Sequence, residues 1–147
     1  MAKGARDVNL AVWIAAPPAK VYRALTGGKE LAHWFVVKAE ADARPGGRLA
    51  LTWKGIGTGE YRFLKLVAGR EVAFSWEKGC RIAFRLSRQR GRTFVRLTLH
   101  AVPYAGKELD CYTMMISGWT MYLCNLKCVL ERRWDLREDQ PRGSCIA

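Results

Sequence analysis

The segment MMISGWTMYLCNLKCVLERRWDLR, from Met114 to Arg137, is the strongest constraint on the fold of this chain. On a helical wheel Met115, Trp119, Tyr122, Leu123, Leu126, Val129 and Leu130 share roughly one third of the circumference. Thr120, Cys124, Lys127, Cys128, Glu131 and Arg132 take the other side. Such a stripe predicts an amphipathic helix from Met114 to about Arg137, packed along its whole length on a flat apolar surface. No other stretch carries a helical period this long, and most of what precedes it has strand period. One long, aromatic-rich helix lying across a sheet follows.

The sheet is legible by alternation. Val8, Leu10, Val12 and Ile14 alternate with Asn9, Ala11 and Trp13 as a first strand. Pro17-Pro18 ends it and suits the first turn of a helix that runs to Leu25. Gly27-Gly28 breaks that helix, and Lys29 to Phe35 reads as a second short one. From Val36 the period is that of strands. Val37, Ala39, Ala41 and Ala43 face one way, and Lys38, Glu40 and Asp42 the other. Arg44-Pro45-Gly46-Gly47 turns the chain into Leu49, Leu51 and Trp53. Glu60 to Leu66, then Val72, Phe74 and Trp76, then Ile82, Phe84 and Leu86, then Val95, Leu97 and Leu99 complete six strands. Short turns make consecutive strands antiparallel, with one face buried. The class is α+β: strand, two short helices, six antiparallel strands, long C-terminal helix. We expect one domain over residues 1–137 and a frayed tail over 138–147.

Composition narrows the setting. A chain of 147 residues, half of it apolar, with six Trp, five Tyr and five Phe, can bury a substantial core. It has no apolar run of bilayer-spanning length. The start, MAKGARDV, carries no secretory pattern. Five irregularly spaced cysteines argue for reduced thiols and a cytoplasmic setting. Cys145 stands third from the end, whereas a prenylation box needs it fourth.

Several pieces in order carry a family resemblance. They are Ala16-Pro17-Pro18 with Val21-Tyr22 and Leu25, Trp34-Phe35, Pro45-Gly46-Gly47, and Trp53 with Gly55 and Gly59. Phe74-x-Trp76, Thr93-x-Val95-x-Leu97, Gly118-Trp119, Leu126-Lys127, Leu130-Glu131 and Asp135-x-Arg137 follow. Together they resemble the SRPBCC (START-like, Bet v-like, helix-grip) superfamily. Within it, the chain is similar to single-domain proteins related to the C-terminal domain of the activator of the 90-kilodalton heat-shock chaperone's ATPase. Relatives carry Gly where this chain has Arg133, a position suited to a left-handed helix cap, so the departure bears on where the helix ends. The resemblance implies the helix-grip fold, and through it either ligand binding or a chaperone-accessory role linked to stress response.

Small Ala39, Ala41 and Ala43 opposite an aromatic helix face admit two readings, an enclosed cavity or a filled core. The resemblance favours the cavity. Its expected lining is Trp34, Ala41, Trp53, Phe63, Trp76, Phe84, Met115, Trp119, Tyr122, Leu123 and Leu126, holding a small apolar or amphipathic molecule. Catalytic, metal and cofactor signals are absent from the sequence. His33 and His100 have no adjacent acid or nucleophile, and Ser75 and Ser117 have no base. Cys124 and Cys128 lie one helical turn apart without a second ligand pair. Gly55-x-Gly57-x-Gly59 lies between strands and reads as a hairpin turn.

Charge is the remaining signal. Twenty-five Lys and Arg against thirteen Asp and Glu give a net charge of +12. Arg81, Arg85, Arg92 and Arg96 share the outward face of the last two strands, Arg88 and Arg90 flank their turn, and Glu71 and Glu77 have the parity to offset them. No aromatic ladder interleaves these arginines in the sequence, so the face reads as a solvated surface without specific nucleic-acid binding. The functional expectation is a ligand-binding module, as monomer or homodimer. The alternatives are an interaction domain for a chaperone or other acidic protein, and an enzyme of cyclase or hydrolase type.

Overall fold

The computed structural model describes residues 4–137. Its elements are β1 (Ala5–Ile14), α1 (Pro18–Thr26), α2 (Gly28–Trp34), β2 (Lys38–Ala41), β3 (Arg48–Trp53), β4 (Gly57–Val67), β5 (Glu71–Ser75), β6 (Arg81–Gln89), β7 (Arg92–Pro103) and α3 (Leu109–Arg132). The seven strands form one antiparallel, curved sheet in the order β1-β7-β6-β5-β4-β3-β2. Strands β2 to β7 are consecutive hairpins. The first strand returns to the far edge, with Val12 opposite Val95 and Ile14 opposite Thr93. This is the expected α+β helix-grip architecture.

The alternating residues fall on the expected faces. Val95, Leu97 and Leu99 of β7, Ile82, Phe84 and Leu86 of β6, and Val72 and Phe74 of β5 are buried beneath α1 and α3. From the helix side Trp119, Leu123 and Leu126 enter the same core. Each such side chain contributes roughly 1.5–3 kcal/mol of transfer free energy.

Two boundaries differ from the sequence reading. The long helix starts at Leu109 rather than Met114, because Tyr112 extends the apolar stripe one turn and packs on Tyr104, ring centroids 6.1 Å apart. It stops at Arg132, with Arg133 in the left-handed conformation at φ 56°. The Arg133 N–H donates to Val129 O (3.1 Å), the 5→1 bond of an αL cap, and the Trp134 N–H reaches Cys128 O (3.5 Å). The cap forms without its usual glycine, and a side chain in that region costs roughly 1–2 kcal/mol.

The second correction concerns β2. It ends at Ala41, so Ala39 and Ala41 pack against the core while Ala43 is exposed in the following turn. Val37 lies before the strand and is exposed. The chain must turn early because Gly47 folds back onto Asp42: a Cβ on Gly47 would stand 1.9 Å from the Asp42 carbonyl oxygen. The Asp42 N–H already donates to Arg48 O at 2.9 Å.

Polar clips lock α3 to the start of the chain. Lys127 Nζ donates to Trp13 O (2.5 Å) and to Glu131 Oε1 (2.8 Å), and the Ala15 N–H donates to that same carboxylate oxygen (2.9 Å). Burial raises the Glu131 pKa, but Lys127 and the Ala15 N–H outweigh it and hold the carboxyl below its ordinary value. Among the described residues no helix is long and apolar enough to cross a membrane.

Candidate functional site

The aromatic residues expected to line the interior converge on a ring that the expected lining omitted. Phe35, which ends α2, stands at the centre. Its centroid lies 5.0 Å from Trp34, 5.7 Å from Trp53, 6.1 Å from Trp76, 5.1 Å from Trp119 and 4.7 Å from Tyr122. Trp119 also meets Trp76 at 5.1 Å and Phe84 at 6.1 Å. Stacked, tilted and edge-on pairs are all represented, the arrangements in which aromatic rings attract at these spacings. Trp34, Phe63, Phe84, Trp119, Leu123 and Leu126 are buried, and Ala41, Trp53, Trp76, Met115 and Tyr122 lie partly exposed around them. The buried indole of Trp34 is satisfied, its Nε1–H donating to Ala24 O at 2.8 Å. Phe35 was missed because the sequence places it at a helix end, where parity assigns no face.

Beside this cluster, an open groove of about 400 Å³ runs between α3 and the 3₁₀ turn Glu77–Gly79. Trp76, Met115, Trp119 and Tyr122 form its apolar lining together with Met114 and Gly118, while Glu77, Lys78 and Cys111 supply polar atoms. The rim is braced. Tyr61 OH donates to Glu77 Oε1 at 2.7 Å and its ring stacks on Trp76 at 4.7 Å, while Lys78 Nζ pairs with Glu108 at 2.5 Å. Burial, then the bond to Glu77, pushes the Tyr61 hydroxyl well above its ordinary pKa, so it remains a donor. Gly118 faces open space: a Cβ there would meet no atom within 4 Å. Glycine in a helix interior costs roughly 1 kcal/mol relative to alanine, and here that missing side chain keeps the groove open.

A second groove of about 760 Å³ lies between α1, α2 and the end of α3, with Arg23, His33 and Arg133 on its rim and Trp34 and Leu130 in its floor. Its far wall is a buried polar joint. Asn125 Nδ2 donates to Trp34 O (2.7 Å) and Asp135 Oδ1 (3.0 Å), and its Oδ1 accepts from the Leu136 N–H (2.7 Å). Arg137 grips Asp135 and reaches Val36 O (2.9 Å) and Ala32 O (3.0 Å). Burial raises the Asp135 pKa, but the Arg137 guanidinium and backbone N–H, with Asn125, more than offset it and leave it below the usual carboxylate value. Asn125 sat unremarked in the middle of an amphipathic stripe; its role depends on a segment folding back that no periodicity announces.

The outward face of the sheet carries Arg81, Arg85, Arg92 and Arg96, all exposed as expected. Arg85 and Arg96 stand directly opposite in register, with Glu71 3.8 Å from Arg85. Strand pairing corrects one reading: aromatic rings do interleave these arginines. Trp13 of β1 lies opposite Phe94 of β7, centroids 4.7 Å apart. The Arg92 guanidinium sits 4.5 Å over Trp13 and that of Arg96 5.6 Å from Phe94. His100 Nδ1 lies 3.3 Å from Asp7 Oδ2, while His33 is exposed. Among the described residues no three His, Cys, Asp or Glu gather as a metal site.

The chain was compared with known proteins. Residues 15–131 match the family model "Activator of Hsp90 ATPase homolog 1-like protein". The Aha1 dimer of Colwellia psychrerythraea is similar at 25% identity and a TM-score of 0.77, covering 86% of this chain and 97% of that one. Protein SSP2350 of Staphylococcus saprophyticus shares the fold at 16% identity and a TM-score of 0.80, over 90% and 96% of the two chains. DynU16, a putative protein of the dynemicin biosynthetic locus, shares it at 19% identity and a TM-score of 0.74, over 86% of this chain and 48% of that one. No curated protein sequence matches the chain. With a model match spanning most of its length, the chain belongs to the family of Activator of Hsp90 ATPase homolog 1-like proteins.

Proposed function

We propose that this protein binds a small apolar or amphipathic molecule in the groove between α3 and the Glu77–Gly79 turn. The observation that supports it is Gly118, a helix-interior glycine set over open space beside Trp76, Met115, Trp119 and Tyr122. A mostly apolar concavity with a few polar groups at one side is the usual form of a small-molecule site. Glu77 and Lys78 would orient a polar head, while the rings hold the body.

An environment-sensitive apolar dye should bind the native protein at about one per chain and quench tryptophan emission. A Cβ at Gly118 meets no atom within 4 Å, so Gly118→Phe can project its ring into the groove without moving the helix; binding should be lost while the circular dichroism spectrum is unchanged. Dye binding unaffected by Gly118→Phe would place the ligand elsewhere, and no binding at saturating dye would remove the proposal. Native mass spectrometry of the protein from its own cells identifies the natural ligand.

A second reading, an accessory domain acting on a chaperone, draws support from the family match and from Leu109 and Met114, exposed on α3 beside the groove. Leu109→Ser separates the two, because Leu109 is exposed and does not line the groove: it should weaken capture of a chaperone partner and leave dye binding in place.

A further inference from the structure

We propose that the outward face of the β1-β7-β6 sheet binds single-stranded nucleic acid without sequence preference, bases stacking on Trp13 and Phe94 and phosphates pairing with the surrounding arginines. This site is separate from the ligand groove, which lies on the other side of the sheet beneath α3.

Three features of the face point to this occupant. The first is uncompensated charge. Arg85 and Arg96 oppose each other across β6 and β7, an arrangement that destabilises a sheet unless an anion lies between them. Glu71 reaches Arg85 only at 3.8 Å and is shared with Lys65 at 3.0 Å. Among the described residues Arg92 and Arg96 have aromatic partners and no carboxylate partner.

The second feature is the pair of rings. Trp13 and Phe94 are half-buried on adjacent strands, so the sheet fixes their spacing and orientation. Their outward neighbours are small: Ala11 stands opposite Arg96, and Ser87 opposite Phe94. The side chains that lie over the rings are those of Arg92 and Arg96. The flat Arg92 guanidinium already lies over the indole, which marks that face as open to a planar group. A base stacking there releases Arg92 to a phosphate.

The third feature selects the strand state. Paired bases in a duplex bury their faces against one another, and only unpaired bases can lie flat on a ring recessed in a sheet. An acidic protein or an anionic bilayer would satisfy the arginines but would draw no benefit from two adjacent ring platforms.

The test uses the whole protein with a fluorescently labelled oligouridylate, the same strand in a duplex, inorganic polyphosphate, and vesicles of phosphatidylglycerol with phosphatidylcholine. The single strand should bind best. Its affinity should fall with salt at a slope of roughly −0.7 for each of four neutralised phosphates, about −3 in all. Arg92→Gln with Arg96→Gln should flatten that slope by about half. Trp13→Ala with Phe94→Ala should weaken the single strand about tenfold or more and leave the slope and polyphosphate binding unchanged. Should the aromatic variant fail to fold, photocrosslinking of bromouridine-substituted strands to the unaltered protein replaces it, with adducts expected at Trp13 or Phe94. Duplex or polyphosphate bound as tightly as the single strand, a preference for vesicles, adducts confined to other residues, or no binding at low salt would each overturn the proposal.

Discussion

Asn125, fully buried on α3, donates a 2.7 Å hydrogen bond to the carbonyl of Trp34 at the end of α2. That bond joins the long helix to the short one across the core and satisfies a carbonyl that α2 cannot use itself. The same amide receives the Leu136 N–H, so the segment after α3 is tied into the joint. Asn125→Ala removes the partner of the Trp34 carbonyl, and an unpaired buried group costs about 1–3 kcal/mol. We expect a loss within that range in urea unfolding; a loss under about 1 kcal/mol would mean that water replaces the amide.

Trp119 is the principal contact between helix and sheet. It is 3% exposed and meets Phe35, Trp76, Phe74, Phe84 and Tyr122. Trp119→Ala should cost roughly 3–5 kcal/mol, a large share of the stability of a protein this size. Chemical unfolding with the slope held in view is the measurement, since a changed slope would report a loosened native state instead.

The Asp135 carboxyl gives stability a pH limb. Its pKa is lowered in the folded protein relative to the ordinary 3.8. A lowered carboxylate contributes in full above its unfolded value, and the contribution is lost as pH falls through the folded value. Asp135→Asn should therefore lie below the parent in denaturant midpoint at about pH 6, with the gap narrowing below about pH 4. A gap independent of pH would assign the effect to packing alone.

Gly118→Ala tests the groove from the side of stability. Open space surrounds the position, so a methyl group adds no clash. The variant should be about 1 kcal/mol more stable through helix propensity while still binding the dye. A destabilised Gly118→Ala would show that something closes over the groove in solution.

The same propensity argument runs in reverse at the helix end. Arg133 holds φ 56°, and Arg133→Gly should raise stability by about 1 kcal/mol in thermal or chemical unfolding. No gain would mean that the arginine side chain offsets the backbone cost through contacts of its own.

Much of this architecture was legible because its determinants are local and periodic. Alternation in β3 to β7 and the stripe on α3 each follow from neighbouring residues, and the family pattern ordered them into one fold. What escaped depends on distant segments meeting. Parity alone extends β2 through Ala43, whereas Gly47 folding onto Asp42 ends it at Ala41. Phe35 sits where a helix stops and no face is defined, yet it is the centre of the aromatic cluster. Trp13 and Phe94 lie far apart in the chain, and only the pairing of β1 with β7 sets them among the arginines. The eleven residues expected to line a site lie in one apolar core with the partly buried residues around it, and four of them line the open groove. How much room lies between helix and sheet depends on packing, which no periodicity encodes.

The edge position of β1 also dictates an order of events during synthesis. Its backbone pairs only with β7, joining Trp13 to Phe94 and Val12 to Val95. A chain emerging from the ribosome makes β1 first and must hold it unpaired until the last strand has left the exit tunnel. The clips from Lys127 and Glu131 to Trp13 and Ala15 come later still. Closure therefore waits until β7 and α3 have both been made, and the clips that complete it join residues 114 and 116 positions apart. Folding should be a late, cooperative event in the slow range that such separations impose, roughly milliseconds to seconds.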